Sequence, residues 1–307
     1  MSNNTNLAKP FRLITVFLLC LAITDRSAAQ VQDKPLHATS LTITKDLTYA
    51  TVGDRKLQLD LHVPKSTTPP QLIVWIHGGG WRQGSRNKPR IQFVTDHGFA
   101  LASISYRFTP DFTFPDQIHD CKAAIRWLRA NAQNYGYDAS KIGVAGSSAG
   151  GHLALLLGTS GDVAELEGDL GKHIDQSSKV QAVVDYFGPS DFPLRETTNP
   201  ERALTTKSGS FALLDGVRTG MVNQTKAKAA SPVTWVSNDD PPLLIIHGKQ
   251  DDVVLPVQAT RMNAVYKKAN RDVTLMLHPK AKHGSKSLFA DEFKSAVIDF
   301  FSRNLKR

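Results

Sequence analysis

The chain has 307 residues, a formal net charge of +9 and two cysteines, Cys20 and Cys121. The length suits one large domain behind a short leader. The basic excess reads as a solvated face or a surface for acidic polymers. With no Lys/Arg cluster interleaved with aromatics, nucleic acid is not an expected partner.

Residues 1–29 have the form of a secretory signal. Lys9 and Arg12 precede the apolar run "LITVFLLCLAIT" (Leu13–Thr24), and small residues at Ser27 and Ala29 place the cut after Ala29. That run is shorter than the ~20 apolar residues a membrane span needs, so no stable membrane insertion is expected. Leu19 precedes Cys20 where lipoprotein attachment calls for a small residue. The expectation is export, to the periplasm or beyond the cell. Loss of Lys9, Arg12, Asp25 and Arg26 lowers the net charge from +9 to +7. One cysteine then remains, which forbids an internal disulfide, and no Cys/His metal spacing exists. In its helical setting Cys121 is expected to act as a small buried apolar residue.

Residues 30–40 are polar and expected to be disordered, which leaves 41–307 as the folded domain. Leu47–Lys65 alternates apolar and polar on either side of Gly53-Asp54, the pattern of a β-hairpin. Leu72–His77 is a continuous apolar run short enough for a buried strand, as in a parallel sheet covered on both faces. A helix near Pro89–His97 precedes a strand at Phe99–Tyr106, and a strongly periodic helix, Phe114–Gly136, precedes a strand at Lys141–Gly146. "SAGGHLALLLGTS" reads as helix and Lys179–Gly188 as strand. Residues 190–235 lose the rhythm and read as an irregular insertion capping the carboxyl edge of the sheet. Then come a buried strand at Pro241–Gly248, a helix from Pro256, a strand at Asp272–His278 and a closing helix from Leu288. The fold class is α/β: a mostly parallel sheet with antiparallel N-terminal strands, helices on both faces and a small cap.

"GSSAG" (Gly146–Gly150) falls at a strand–turn–helix junction and fits G-x-S-x-G, with Ser148 central. Gly146 and Gly150 provide the small neighbours a sharp elbow needs, and Ser147 sits where the pattern is indifferent. Phosphate-cradle patterns are absent. A serine hydroxyl attacks a carbonyl only when a histidine takes its proton and a carboxylate orients that histidine. In elbow enzymes the order is Ser, acid, His. Asp251 and Asp252 follow a buried strand at the sheet's carboxyl edge, where ligands of such sheets bind. His278 ends a strand and is expected to be satisfied there. His283, in the loop "PKAKHGSKS", is the expected base. Asp185 and Asp191 are expected to serve turns and caps. "HGGGW" (His77–Trp81) follows a buried strand and can turn backbone N–H groups toward a developing oxyanion, together with the N–H of Ala149. His77 is expected to organise that loop.

These stretches, with "YFGPSDF", "HGKQD" and "KHG", make the chain from Leu47 to Phe301 resemble α/β-hydrolases of the carboxylesterase group. Within that group it is similar to the bacterial feruloyl/acetyl-xylan esterase-like branch, related to hormone-sensitive-lipase-type esterases. The resemblance implies that Asp251 is the acid, from the HGxxD pattern, and that Gly79, Gly80 and Ala149 are the oxyanion donors. The sequence departs where Leu255 separates Val254 from Pro256, and it lacks the GDSAG form of the lipase-type branch. The chain is thus expected to be an exported serine esterase with the triad Ser148, Asp251 and His283. It would act without metal or organic cofactor on small-molecule or polysaccharide-linked acetyl or feruloyl esters. Alternatives on the same fold are an arylformamidase, a peptidase and a non-catalytic binding protein. A peptidase usually carries a propeller domain, and a binding protein usually lacks a triad member. Specificity is expected to reside in 190–235 and around Trp81.

Overall fold

The computed structural model describes residues 40–161 and 163–306. The expected signal segment and residues 30–39 lie outside the described residues. Ser40, placed by expectation in the disordered stretch, instead accepts a 3.0 Å backbone hydrogen bond from Lys65, so order begins before the first strand.

Among the described residues eight strands form one sheet: β1 (Leu41–Val52), β2 (Arg55–Pro64), β3 (Gln71–Ile76), β4 (Ala100–Ile104), β5 (Asp138–Ser147), β6 (Ala182–Tyr186), β7 (Leu243–Gly248) and β8 (Val273–His278). Their order across the sheet is β1-β2-β4-β3-β5-β6-β7-β8. The hairpin β1–β2 and its junction with β4 are antiparallel, and every later pair is parallel. Alternation explains how continuous apolar runs serve this sheet. Leu72, Val74 and Ile76 enter the core on one face, while Ile73 and Trp75 enter the core on the other.

The first face is covered by α1 (Asp116–Tyr135) and α2 (Ala149–Thr159). α2 is buried on every side, which explains why its sequence is apolar all round. The expected helix near Pro89–His97 is shorter, a 3-10 segment Gln92–His97 closed by left-handed Gly98. The insertion departs from the expected irregularity. It is built of α3 (Phe192–Thr198), α4 (Pro200–Ala203), α5 (Gly209–Leu213), α6 (Gly216–Thr219) and α7 (Gln224–Ala229). Asp191, Ser208 and Asn223 cap α3, α5 and α7 by accepting backbone N–H groups. Helices of one or two turns are too short to display an apolar stripe, which is why no period was visible. α8 (Val257–Lys268) joins the first face, and α9 (Asp291–Leu305) covers the second with Phe293, Val297, Phe300 and Phe301.

Candidate active site

β5 ends in a turn that α2 continues immediately, and Ser148 is the hinge between them. Its backbone is left-handed (φ 54°, ψ −118°) and its N–H donates to the Tyr186 carbonyl at 2.8 Å. A non-glycine residue in such a conformation costs about 1–3 kcal/mol and persists only where its surroundings over-determine it. They do so here by closeness. A Cβ at Gly146 would collide with the Gly150 carbonyl, and one at Gly150 with the carbonyl oxygens of Ile76 and His77. Serine at a helix N-cap ordinarily bonds the first-turn N–H groups. Ser148 makes no such cap bond; its Oγ lies 2.9 Å from His283 Nε2.

His283 is carried by the loop after β8. Gln250 N–H donates to the Ala281 carbonyl at 3.0 Å, and Lys282 N–H to Ser285 Oγ at 2.9 Å. The Phe187 ring meets the imidazole edge-on at 4.9 Å. His283 Nδ1 is 2.7 Å from Asp251 Oδ2. A carboxylate only accepts, so Nδ1 carries the proton and Nε2 is left to accept from the serine hydroxyl.

Asp251 is buried in the turn after β7, where Oδ1 accepts the N–H groups of Val253 and Val254, both at 2.9 Å. His247 Nε2 lies 3.3 Å from its Oδ2. Burial alone would raise this carboxyl. The hydrogen bonds from His247 and His283, then the charge of His283 and the Val254 N–H, outweigh it and hold the group well below the usual carboxylate range. Its neighbour Asp252 points outward, 71% exposed and 3.5 Å from Arg202. Adjacent carboxylates thus have opposite surroundings, and one of them reaches the histidine.

Facing the elbow is the loop after β3. Gly79 (φ 118°), Gly80 (φ 62°) and Trp81 (φ 57°) are left-handed in succession. A side chain at Gly78 would press on Ser148 Cβ at 3.3 Å, so this loop runs against the turn that carries Ser148. Ala149 opens α2, and first-turn N–H groups have no intrahelical acceptor. His77 organises the loop: Nδ1 donates to the Gly78 carbonyl at 2.7 Å, and its ring stacks on Tyr106 at 4.6 Å.

Sequence reasoning did not foresee the residues that brace this arrangement. Trp81 Nε1 donates to His152 Nδ1 at 3.2 Å, and His152 Nε2 lies 2.7 Å from the Ala230 carbonyl. An indole is only a donor, so Nδ1 is the bare nitrogen and the imidazole is neutral. Burial favours the same state, pushing this histidine down to about 4. His152 therefore ties the glycine loop, α2 and the insertion together. Arg195 on α3 donates to the Val253 carbonyl at 2.8 Å, and Arg90 donates to the Gly284 carbonyl at 3.3 Å. The only hint of these contacts was a histidine placed four residues after Ser148.

The other candidates lie apart from the reacting atoms. Asp191 caps α3, and Asp185 accepts the Gly188 N–H at 2.8 Å. His278 accepts the Lys280 N–H at 3.2 Å, and Cys121 is buried in α1.

A hydroxyl, imidazole and carboxylate aligned along the carboxyl edge of this sheet, with the serine on a strand-to-helix elbow, define the class: an α/β-hydrolase. The chain belongs to the BD-FAE family, whose model matches residues 59–266, a span that includes Ser148 and Asp251 and stops short of His283. It is 35% identical over 204 residues to esterase LipC of Mycobacterium tuberculosis, covering 64% of this chain and 47% of that one. The chain spans about half the length of the curated relatives it matches. Among solved structures it resembles a truncated carbohydrate esterase from gut microbiota, with TM-score 0.74 and 29% identity over 87% of this chain and 97% of that one. It also resembles a bifunctional GH43-CE protein of Bacteroides eggerthii, with TM-score 0.75 and 35% identity over 85% of this chain and 35% of that one.

Proposed function

We propose that this chain hydrolyses carboxylic esters through an acyl-enzyme on Ser148. The observation that carries the reading is the unbroken chain from Ser148 Oγ through His283 to Asp251, at 2.9 and 2.7 Å. As Oγ attacks the ester carbonyl, its proton passes to His283 Nε2, and Asp251 balances the imidazolium charge. The carbonyl oxygen becomes an oxyanion facing the N–H groups of Gly79, Gly80 and Ala149, each donor being worth about 10²–10³ in rate. His283 then protonates the departing alcohol. Water, deprotonated by the same nitrogen, cleaves the acyl-enzyme and restores the hydroxyl.

The proposed substrates are short acyl esters borne on carbohydrate, acetyl before feruloyl. This rests on the carbohydrate-esterase relatives and on how closely the insertion crowds the glycine loop. A Cβ at Gly209 would collide with the Gly80 carbonyl, and Arg82 donates to the Lys207 carbonyl at 2.8 Å. Residues 1–29 are proposed to direct export, which the N-terminus of the mature chain, expected at Gln30, tests by mass spectrometry.

The deciding experiment is a series of nitrophenyl esters of increasing acyl length, with acetylated xylan, methyl ferulate and formylkynurenine in the same assay. The expected result is the highest kcat/KM for acetate, release of acetate from xylan, and loss of both in Ser148→Ala. Preference for formylkynurenine would make the chain an arylformamidase, and an unaffected Ser148→Ala would remove the serine mechanism.

A further inference from the structure

A cavity of about 630 Å³ lies outside the triad, where the β1–β2 hairpin, the loop 84–88 and the segment after β4 meet. It sits on the catalytic edge of the sheet. Leu59 pairs with Ile104, the last residue of β4, so the hairpin end of β2 projects past the same ends of β4, β3 and β5 from which Ser148 emerges. From β5 to β2 is three strand spacings, about 14 Å. The glycine loop runs on through Arg82 to Lys88 and forms part of the cavity's lining.

The lining carries five cations, Lys45, Arg55, Lys56, Arg86 and Lys88, against two carboxylates, Asp46 and Asp60. Both carboxylates are already engaged. Arg86 bonds Asp60 at 2.9 Å and Ser105 at 3.0 Å, and also pairs with Asp46. Lys45, Lys56 and Lys88 are exposed and make no ion pair or side-chain hydrogen bond among the described residues, while Arg55 lies over the Phe112 ring at 5.2 Å. Like charges gathered around one hollow repel each other, and an anion placed among them removes that cost. Half-buried Phe108 adds aromatic surface beside the cations, suited to the C–H face of a sugar ring, while Tyr106 lies buried beneath it, stacked on His77. The cations are long side chains on separate segments, which suits a carboxylate carried on a bulky ring more than a phosphate seated in a nest of backbone N–H groups.

We propose that this cavity is a subsite for the carboxylate of a uronic acid, in an acidic polysaccharide whose esterified sugar lies at Ser148. The inference rests on the reading of the chain as a carbohydrate-directed esterase and names the polymer class: one carrying both acyl esters and carboxylates.

Binding is tested without catalysis. The Ser148→Ala protein is titrated calorimetrically with glucuronic-acid-branched xylan and with the same polymer after its carboxyls are reduced to alcohols. The acidic polymer is expected to bind about fivefold to tenfold more tightly, the size of a few exposed charge pairs. The gap should close in Lys56→Glu/Lys88→Glu and, without any change to those lysines, at about 1 M salt, where the screening length falls to about 3 Å. Equal binding of the two polymers, or a gap that survives both treatments, overturns the subsite. Displacement by inorganic phosphate as effective as by glucuronate also overturns it, by marking an unselective cationic face. Failure of the unsubstituted protein to cleave nitrophenyl acetate rejects the esterase reading and leaves the binding titration to judge the subsite alone.

Discussion

On the serine side of the site, Ser148, Gly79, Gly80 and Trp81 all hold left-handed backbones with φ between 54° and 118°. Across the edge, Asp251 sits in a turn ordered by hydrogen bonds, with Val253, Val254 and His283 directed at its carboxylate and His247 bonded to the Val254 carbonyl beside it. The first side is shaped by backbone strain held in place by packing, at about 1–3 kcal/mol for each non-glycine residue so placed. The second is shaped by polar partners around a buried charge, where losing one partner costs more than the bond was worth. An added methyl group is therefore the natural way to damage the serine side, and a lost donor the natural way to damage the histidine side.

Direct removal of the reacting groups gives the largest effect. Ser148→Ala is expected to lower kcat for nitrophenyl acetate by on the order of 10⁶, and Asp251→Asn by on the order of 10⁴. The order matters, because Asp251→Asn disturbs the tautomer of His283 and leaves the nucleophile in place. Equal losses would mean that the two sides are not separable in this way.

Gly150→Ala probes the packing of the elbow. Its methyl group enters the carbonyls of Ile76 and His77, so kcat should fall by on the order of 10² through misplacement of Ser148. Denaturant unfolding should show a loss of about 1–3 kcal/mol. Trp81→Phe keeps an aromatic ring but deletes the indole N–H and part of the buried ring volume, orphaning buried His152 Nδ1. The expected loss is about 1–3 kcal/mol of stability with a fall in kcat larger than any rise in KM. A pure KM effect would detach Trp81 from the glycine loop's geometry.

The smallest effect comes from Asp185, behind the site, which burial pushes up to about 7. A carboxyl raised in the folded state takes up protons there that the unfolded chain has already released. Its ionisation therefore opposes folding progressively between about pH 4 and pH 7. Asp185→Asn retains an oxygen for the Gly188 N–H and removes that charge. Its melting temperature relative to the unsubstituted protein should rise across this window, by several degrees at most. Asp251, held low, behaves oppositely: its contribution is present above the usual carboxylate range and is lost as pH falls below it. Parallel melting curves for Asp185→Asn and the parent would contradict this contrast.

The strands of the central sheet were legible because burial on both faces demands unbroken apolar runs, as in β3 and β7. β1 was read short by six residues because it is an edge strand with one neighbour, and its first residues are largely exposed. The insertion was illegible because helices of four to seven residues leave no period. In the site, spacing singled out Ser148 and His283, while the choice between Asp251 and Asp252 needed a family pattern. The physical reason is local: the N–H groups of Val253 and Val254 turn one carboxylate inward. The Trp81–His152 bond joins residues 71 positions apart and has no signature along the chain.

The most direct measurement is covalent trapping with a fluorophosphonate followed by peptide mass mapping. A single adduct on Ser148 is expected, formed far more slowly in His283→Ala and absent in Ser148→Ala. An adduct on another residue, or labelling that proceeds unchanged without His283, would contradict the account.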